Sequence, residues 1–243
     1  ASKLNEMLNS LLPSIDRKVL NELQTRDSIE RKLFVIITAD RGMAGAFNTN
    51  VNKIAQQSID EFGKDKSDLI CIGKKSTSHF KSRNYNIISE YVDFWSDLSY
   101  QDAMEISFGM ISRFVNGEVD EVSVIYNEFI NVGKQEVRNN DFLPLIHNVQ
   151  EESKTIITDR IYEPSKTEVV KTLVPKYLNT QVWQFLLESN ASEQAARMVA
   201  MENATENAGE MISDLSIEYN KARQAAITTE IIEIVSGANA LEG

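Results

Sequence analysis

The sequence is poor in residues that break or lock a fold, with four prolines, one cysteine and two histidines among 243 residues. The single cysteine, Cys71 between Ile70 and Ile72, excludes an internal disulfide framework. It fits a reducing compartment and reads as a small buried side chain on a strand. His79 and His147 stand far apart, so no metal-ligand spacing and no Ser-His-Asp arrangement emerges; both read as surface or loop residues. No apolar run approaches the ~20 residues that cross a bilayer. An excess of basic charge is lacking too. The net charge of −11 and pI near 4.8 exclude the general nucleic-acid affinity that rests on clustered Lys and Arg. No pair of acids forms a general acid/base couple, so the residues nominate no catalytic, metal or cofactor centre. Yet 42% of the chain is hydrophobic, enough for a real core.

The scarcity of proline is the most telling absence. From Lys176 to Ser236 there is none, and only one glycine, Gly209. Within that stretch Met198, Met201, Thr205, Ala208, Ile212, Leu215, Tyr219, Ala222 and Ala226 recur at steps of three and four, the pattern of a coiled-coil seam. As one helix the stretch reaches roughly 90 Å, about three times the width of a small domain. The expectation is an arm that lies against something other than its own domain. Ile227, Ile231, Ile234 and Val235 continue on a shifted face, and Gly237 is expected to end the helix. Glu202, Glu206, Glu210, Asp214 and Glu218 form an acidic line at steps of four, read either as a solvated face or as a contact with basic groups of a partner. Beyond it the sign changes at Lys221 and Arg223, and Arg223, Gln224 and Thr228 offer hydrogen-bonding groups on a rod otherwise lined by Ala and Ile.

The remainder divides by period. Leu4, Leu8, Leu11, Ile15, Val19 and Leu23 predict an amphipathic helix over residues 2 to about 27, bent or broken at Pro13. The opening Ala1-Ser2-Lys3-Leu4 reads as the middle of a helix, which suggests a start inside a longer one. Strands are expected at Leu33–Thr38, Leu69–Ile72, Asn86–Ser89 and Val122–Tyr126, with helices at Val51–Phe62, Lys74–Ser82 and Tyr100–Val115 between them. That alternation predicts an α/β domain with a mainly parallel sheet. A last strand near Gln135–Asn140 pairs antiparallel across the turn at Gly133, and Lys154 to Tyr162 leads out of the domain. Ser165 is the expected N-cap of the long helix, with Glu168 completing a capping box and Pro175 expected to kink its early turns. The predicted organisation is residues 1–28 as a truncated coiled-coil helix, 29–162 as the α/β domain and 163–243 as the long C-terminal helix. The two terminal helices pair antiparallel, but their unequal lengths leave the seam from Ser192 to Ala240 without an intrachain partner. An apolar stripe of that extent exceeds what a monomer leaves uncovered, so the chain alone is expected to self-associate. The loop Asp40-Arg41-Gly42-Met43-Ala44-Gly45-Ala46-Phe47-Asn48 follows the first strand, where α/β sheets bind ligands. It matches neither the dinucleotide nor the phosphate-loop spacing, and reads as a tight structural turn.

Three stretches together resemble a known family. Ala191-Ser192-Glu193-Gln194-Ala195-Ala196-Arg197-Met198, with Asn203 to Gly209 and Tyr219 to Thr228, is similar to the C-terminal helix of the F-type ATP synthase gamma subunit. The Asp40-Arg41-Gly42…Gly45-Ala46-Phe47-Asn48 loop and Tyr162-Glu163-Pro164 resemble two further motifs of that family, in the same order along the chain. The resemblance implies a non-catalytic, cofactor-free central-stalk rotor subunit of the F1 sector. It would couple c-ring rotation to conformational cycling of the beta catalytic sites, with alpha, beta and epsilon subunits and the c-ring as partners. It implies that Arg223, Gln224 and Thr228 contact the beta catch loops, and that Ile231, Ile234 and Val235 turn in an apolar sleeve. Tyr162 and Glu163 would lie at the foot near the c-ring and epsilon. The implied location is peripheral to a membrane, on the cytoplasmic face of a bacterial inner membrane or the matrix side of a mitochondrial one. The family's lysine- and arginine-rich start, which would answer the acidic line, does not appear before Ala1, and a cysteine-pair insertion of the chloroplast type is not seen. The alternative is a nucleotide-binding α/β enzyme with a helical arm; a coiled-coil adaptor unrelated to rotary motors is a third reading.

Overall fold

A computed structural model describes residues 23–26, 28–145 and 166–242. The five β-branched stretches form one sheet: β1 (Lys32–Ile37), β2 (Ser67–Ile72), β3 (Ile87–Tyr91), β4 (Glu121–Asn131) and β5 (Lys134–Leu143), in the order β3-β2-β1-β4-β5. β1 pairs parallel with both β2 and β4, β2 pairs parallel with β3, and β4 and β5 form an antiparallel hairpin. Helices α1 (Phe47–Phe62), α2 (Lys74–Lys81) and α3 (Tyr100–Val115) make the crossovers, and α4 (Lys166–Glu242) ends the chain. This is the mainly parallel α/β sheet, followed by a long helix, that the alternating periods predict.

The side-chain alternation of β1 sorts the core into two layers. Phe34 and Ile36 face α1 and α2, where they meet Val51, Ala55, Ile59 and Phe80, together with Leu69, Cys71 and Ile125 of neighbouring strands. Leu33, Val35 and Ile37 face the other way, against Ala103, Ile106, Met110 and Phe114 of α3 and Val174, Leu178, Val182 and Leu186 of α4. With both faces covered, a strand reads as a continuous apolar run, as Leu33 to Ile37 does. Cys71 is buried in this core, and desolvation pushes its thiol up to about 12. α3 begins at a capping box in which Ser99 and Asp102 bond each other's backbone N–H.

Several boundaries differ from those predicted. β4 runs on to Asn131, well past Tyr126, and β5 covers Lys134–Leu143, past Asn140, because their hairpin continues beyond the last β1 partner and turns at Gly133. α1 starts at Phe47, one turn before Val51, since Phe47 itself is buried under Ala39 and Ala44. Gly237 does not stop α4: it has no positive φ, and the helix runs on to Glu242. Nor does Pro175 interrupt it. Up to residue 22 the predicted first helix lies outside the described residues, as do the linker from Lys154 to Tyr162 and the expected N-cap Ser165. Leu23 to Arg26 are not α-helical. There the Leu23 carbonyl accepts from Leu145 N and the Arg26 guanidinium bonds Asp120, so the backbone follows the sheet domain and not a helical ladder.

By its contacts the chain separates into one unit that ends at Met198 and a second that begins at Val199, a division inside α4.

Candidate functional site

The first place to look for a ligand is the carboxyl edge of the parallel strands. Here the polar groups are already engaged with each other. Asp40, just after β1, accepts from Lys74 N at 2.9 Å with one carboxylate oxygen and from Asp93 N at 2.9 Å with the other. Lys75 N donates to the Ala39 carbonyl at 3.1 Å, and Ser76 N donates to Thr38 Oγ1 at 2.9 Å. The first-turn amides of α2, which a phosphate would need, are therefore occupied by protein acceptors. Gly73 permits this closeness: its φ is 95°, and a Cβ there would lie 2.1 Å from the Thr38 carbonyl oxygen. The geometry gives the nucleotide-binding alternative no phosphate seat at this edge and supports the tight-turn reading of the Asp40–Asn48 loop. In that loop Asn48 Oδ1 accepts from Ala39 N at 2.9 Å and Met43 takes a φ of 61°.

The loop does have a partner inside the chain, one that reading the residues in order did not reveal. α4 brings Ser192, Glu193 and Arg197 onto it. Arg197 Nη1 donates to the Gly42 carbonyl at 2.7 Å, while its Nη2 pairs with Glu193 one turn earlier. Ser192 Oγ donates to the Asn127 carbonyl of β4 at 3.2 Å, and the Asn127 amide donates to the Phe47 carbonyl at 3.3 Å. Ala196 packs against Ala39, Ala44 and Phe47, where a larger side chain would force the helix away. Two stretches that sequence singled out separately, Asp40–Asn48 and Ala191–Met198, are thus one joint. The composition hinted only that both stretches are special, with small residues and one arginine in the helix and two glycines in the loop.

Past this joint the character of α4 changes. From Met201 to Asn239 every residue is exposed, including Ile212 at 66% and Tyr219 at 69%. Arg223, Gln224, Thr228, Ile231, Ile234 and Val235 all lie in this exposed stretch, and the Thr228 hydroxyl donates to the Gln224 carbonyl at 2.8 Å within the helix. At about 100° per residue, Gln224, Thr228, Ile231 and Val235 share an arc of about 60°, whereas Arg223 lies about 100° to one side. The seam residues Ala222 and Ala226 fall about 160° from Gln224, nearly on the opposite face. The acidic line is less straight than steps of four suggest, since each step advances about 40° and the five acids wind through about 160°. Tyr162 and Glu163 lie outside the described residues.

His79 is a correction: it sits half-buried on α2, its Nε2 3.0 Å from Gln56 Oε1, and burial followed by the nearby Arg83 charge lowers its pKa. His147 lies outside the described residues. Among the described residues, no group of three or more His, Cys, Asp or Glu side chains could hold a metal, and no helix is long and apolar enough to cross a membrane.

With this architecture in view, the comparisons agree. A family model described as ATP synthase matches residues 1–241. The ATP synthase gamma chain of Chloroherpeton thalassium is 44% identical over 256 residues, covering 100% of this chain and 84% of the relative. That of Prosthecochloris aestuarii is 47% identical over 248 residues with the same coverage. In fold, a chain of the Euglena gracilis mitochondrial ATP synthase OSCP/F1/c-ring structure is similar with a TM-score of 0.70 at 24% identity, covering 99% of this chain and 86% of that one. A chain of the Tetrahymena thermophila mitochondrial ATP synthase central stalk/c-ring structure gives 0.62 at 23% identity, covering 84% and 92%. The chain belongs to the ATP synthase gamma chain family. It is a subunit of that complex and not itself the catalyst.

Proposed function

We propose that this chain is the central-stalk rotor of the F1 sector, with residues 199–239 as the shaft inside a ring of alternating alpha and beta subunits. The α/β unit rides on the c-ring beside an epsilon subunit, with Tyr162 and Glu163 at its foot. It lies peripheral to the membrane, on the cytoplasmic face of a bacterial inner membrane. The three-part organisation, 1–28, 29–162 and 163–243, belongs to the same reading.

One observation carries it: a long helix exposes Met211, Ile212, Leu215, Tyr219, Ile231 and Ile234, more contiguous apolar surface than a solitary protein leaves to water. The angular arrangement supports two different neighbours. A coiled-coil partner takes the seam through Ala222 and Ala226, where small side chains permit close approach. On the far side, Gln224 and Thr228 offer polar contacts to the beta catch loops, and Ile231 and Val235 continue that face into the apolar sleeve, flanked by Ile234. Arg223 projects between the two faces. A shaft of this kind works by position, as turning an asymmetric rod presents different contacts to each surrounding subunit.

The test is the double substitution Gln224→Ala with Thr228→Ala in the assembled enzyme. Loss of two hydrogen bonds, each contributing about 0.5–1.5 kcal/mol, lowers coupled ATP turnover and proton pumping from several-fold to beyond tenfold. The unfolding midpoint of the α/β unit stays where it was. Unaltered turnover and pumping in the double mutant would remove these residues from the contact.

A further inference from the structure

α3 carries more apolar surface than the core uses. Ala103, Ile106, Met110 and Phe114 belong to the buried cluster on its side of the sheet. A second stripe, Tyr100, Met104, Phe108, Ile111 and Val115, recurs at steps of three and four within an arc of about 80°, centred about 115° from the first. Phe108 is 72% exposed, Tyr100 and Val115 are exposed too, and Met104 and Ile111 are half-buried. The stripe continues onto α4. There the Trp183 ring meets the Tyr100 ring edge-on at 6.0 Å, and Leu187, one turn further along, is 43% exposed. Two helices thus present one apolar surface, of the kind that marks a docking site.

The chain carries a cover of its own. The described residues open at Leu23, which packs against the same core cluster as Ile111 and Trp183. Three residues on, Arg26 Nη2 donates to the Phe114 carbonyl, and the guanidinium lies 5.2 Å from the centre of the Phe114 ring. The chain ahead of Leu23 therefore meets the unit at the C-terminal end of α3. Its pattern is complementary: Leu4, Leu8, Leu11, Ile15 and Val19 fall within an arc of about 80°, and Leu4 to Val19 spans the 16 residues of α3. Pro13 lies about 160° from the centre of that arc, so its ring points away from the contact. A helix this short is marginal alone in water and takes its stability from a face to pack on. Its tether also gives it an effective concentration at the surface that a separate protein has to exceed.

We propose that residues 2–22 form an amphipathic helix seated on this surface, running in the direction of α3, with Leu11 against Phe108 and Val19 against Val115. Such a seat adds α3 to the pairing with α4 that the sequence predicts, and it does not depend on the rotor reading.

The test is disulfide trapping in the full chain and in the assembled ATP synthase, where the one native cysteine, Cys71, is buried and does not compete. A bridge needs the two Cα atoms within about 7 Å. Leu11→Cys with Phe108→Cys is expected to close an internal disulfide under mild oxidation at least tenfold faster than Ser10→Cys with Phe108→Cys. Ser10 has the same tether but lies about 140° round the helix from the stripe. The Phe108→Cys thiol by itself is expected to react with a maleimide at least tenfold more slowly than Gln57→Cys on the exposed side of α1. Equal closure rates for the two pairs, a Phe108→Cys thiol as reactive as Gln57→Cys, or closure in the full chain that is lost on assembly would each overturn the proposal. Coupled ATP turnover of the parent enzyme reports separately on the rotor reading.

Discussion

The two halves of α4 resemble each other in sequence and differ in everything that covers them. Before Met198, Val174, Leu178, Val182 and Leu186 are buried against the sheet and α3. After it, Ile212, Leu215, Tyr219, Ile231 and Val235 repeat at similar spacing with nothing over them. Apolar periodicity therefore states that a helix face requires a cover, and leaves open whether the cover is the same chain. The first half is held as a domain core is held; the second has the surface of half an interface.

The sharpest way to break this comparison is to truncate one leucine in each half. Leu186 is fully buried, and Leu186→Ala is expected to cost about 2–5 kcal/mol in urea unfolding of the isolated chain. Leu215 is 56% exposed, and Leu215→Ala is expected to cost less than ~0.5 kcal/mol in the same measurement, yet to weaken assembly with the other subunits. Equal costs in the isolated chain would mean that both halves already have covers.

A smaller effect is expected where the first half meets the Asp40–Asn48 loop. Arg197→Ala removes the charged bond to the Gly42 carbonyl and leaves Glu193 only 9% exposed without its cation. The expected loss is about 1.5–3 kcal/mol of stability, accompanied by lower coupled turnover in the assembled enzyme. A fall in stability with turnover intact would restrict the joint to a structural role.

The smallest effect lies in the sheet unit alone and concerns pH. Burial by itself would raise the Asp120 carboxyl, but the N–H groups of Arg31 and Glu30 and the Arg26 guanidinium outweigh it and hold the pKa below its ordinary value. A carboxylate depressed in the folded state contributes stability above its unfolded pKa of about 3.9, and that contribution is lost as pH falls through the lower folded value. Asp120→Asn should reduce stability at neutral pH and flatten the acid limb of the unfolding profile. Parallel acid limbs for mutant and parent would show that Asp120 is not held below its ordinary value.

What sequence could reveal followed from local causes. The strands were legible because burial on both faces demands unbroken runs such as Leu33 to Ile37. The α2 and α3 helices were legible because their residues follow a helical period between the strands. The β4–β5 extension was not, since Phe129, Ile130 and Val132 sit on a half-exposed hairpin without clean alternation. Gly237 misled because an exposed helix tolerates a glycine at a cost of about 1 kcal/mol when good helix formers such as Ala238 and Ala240 follow. The joint made by Ser192, Glu193 and Arg197 stayed hidden for a different reason. Its partners, the Gly42 and Asn127 carbonyls, are backbone groups that no residue type announces.

The most direct measurement is hydrogen exchange of the backbone amides of α4, in the isolated chain and again in the assembled ATP synthase. The amides up to Met198 should be protected in both samples, and those from Val199 to Asn239 should gain at least a hundredfold in protection only on assembly. Equal protection of the second stretch in the two samples would mean that no partner covers it, and the shaft would have to be abandoned.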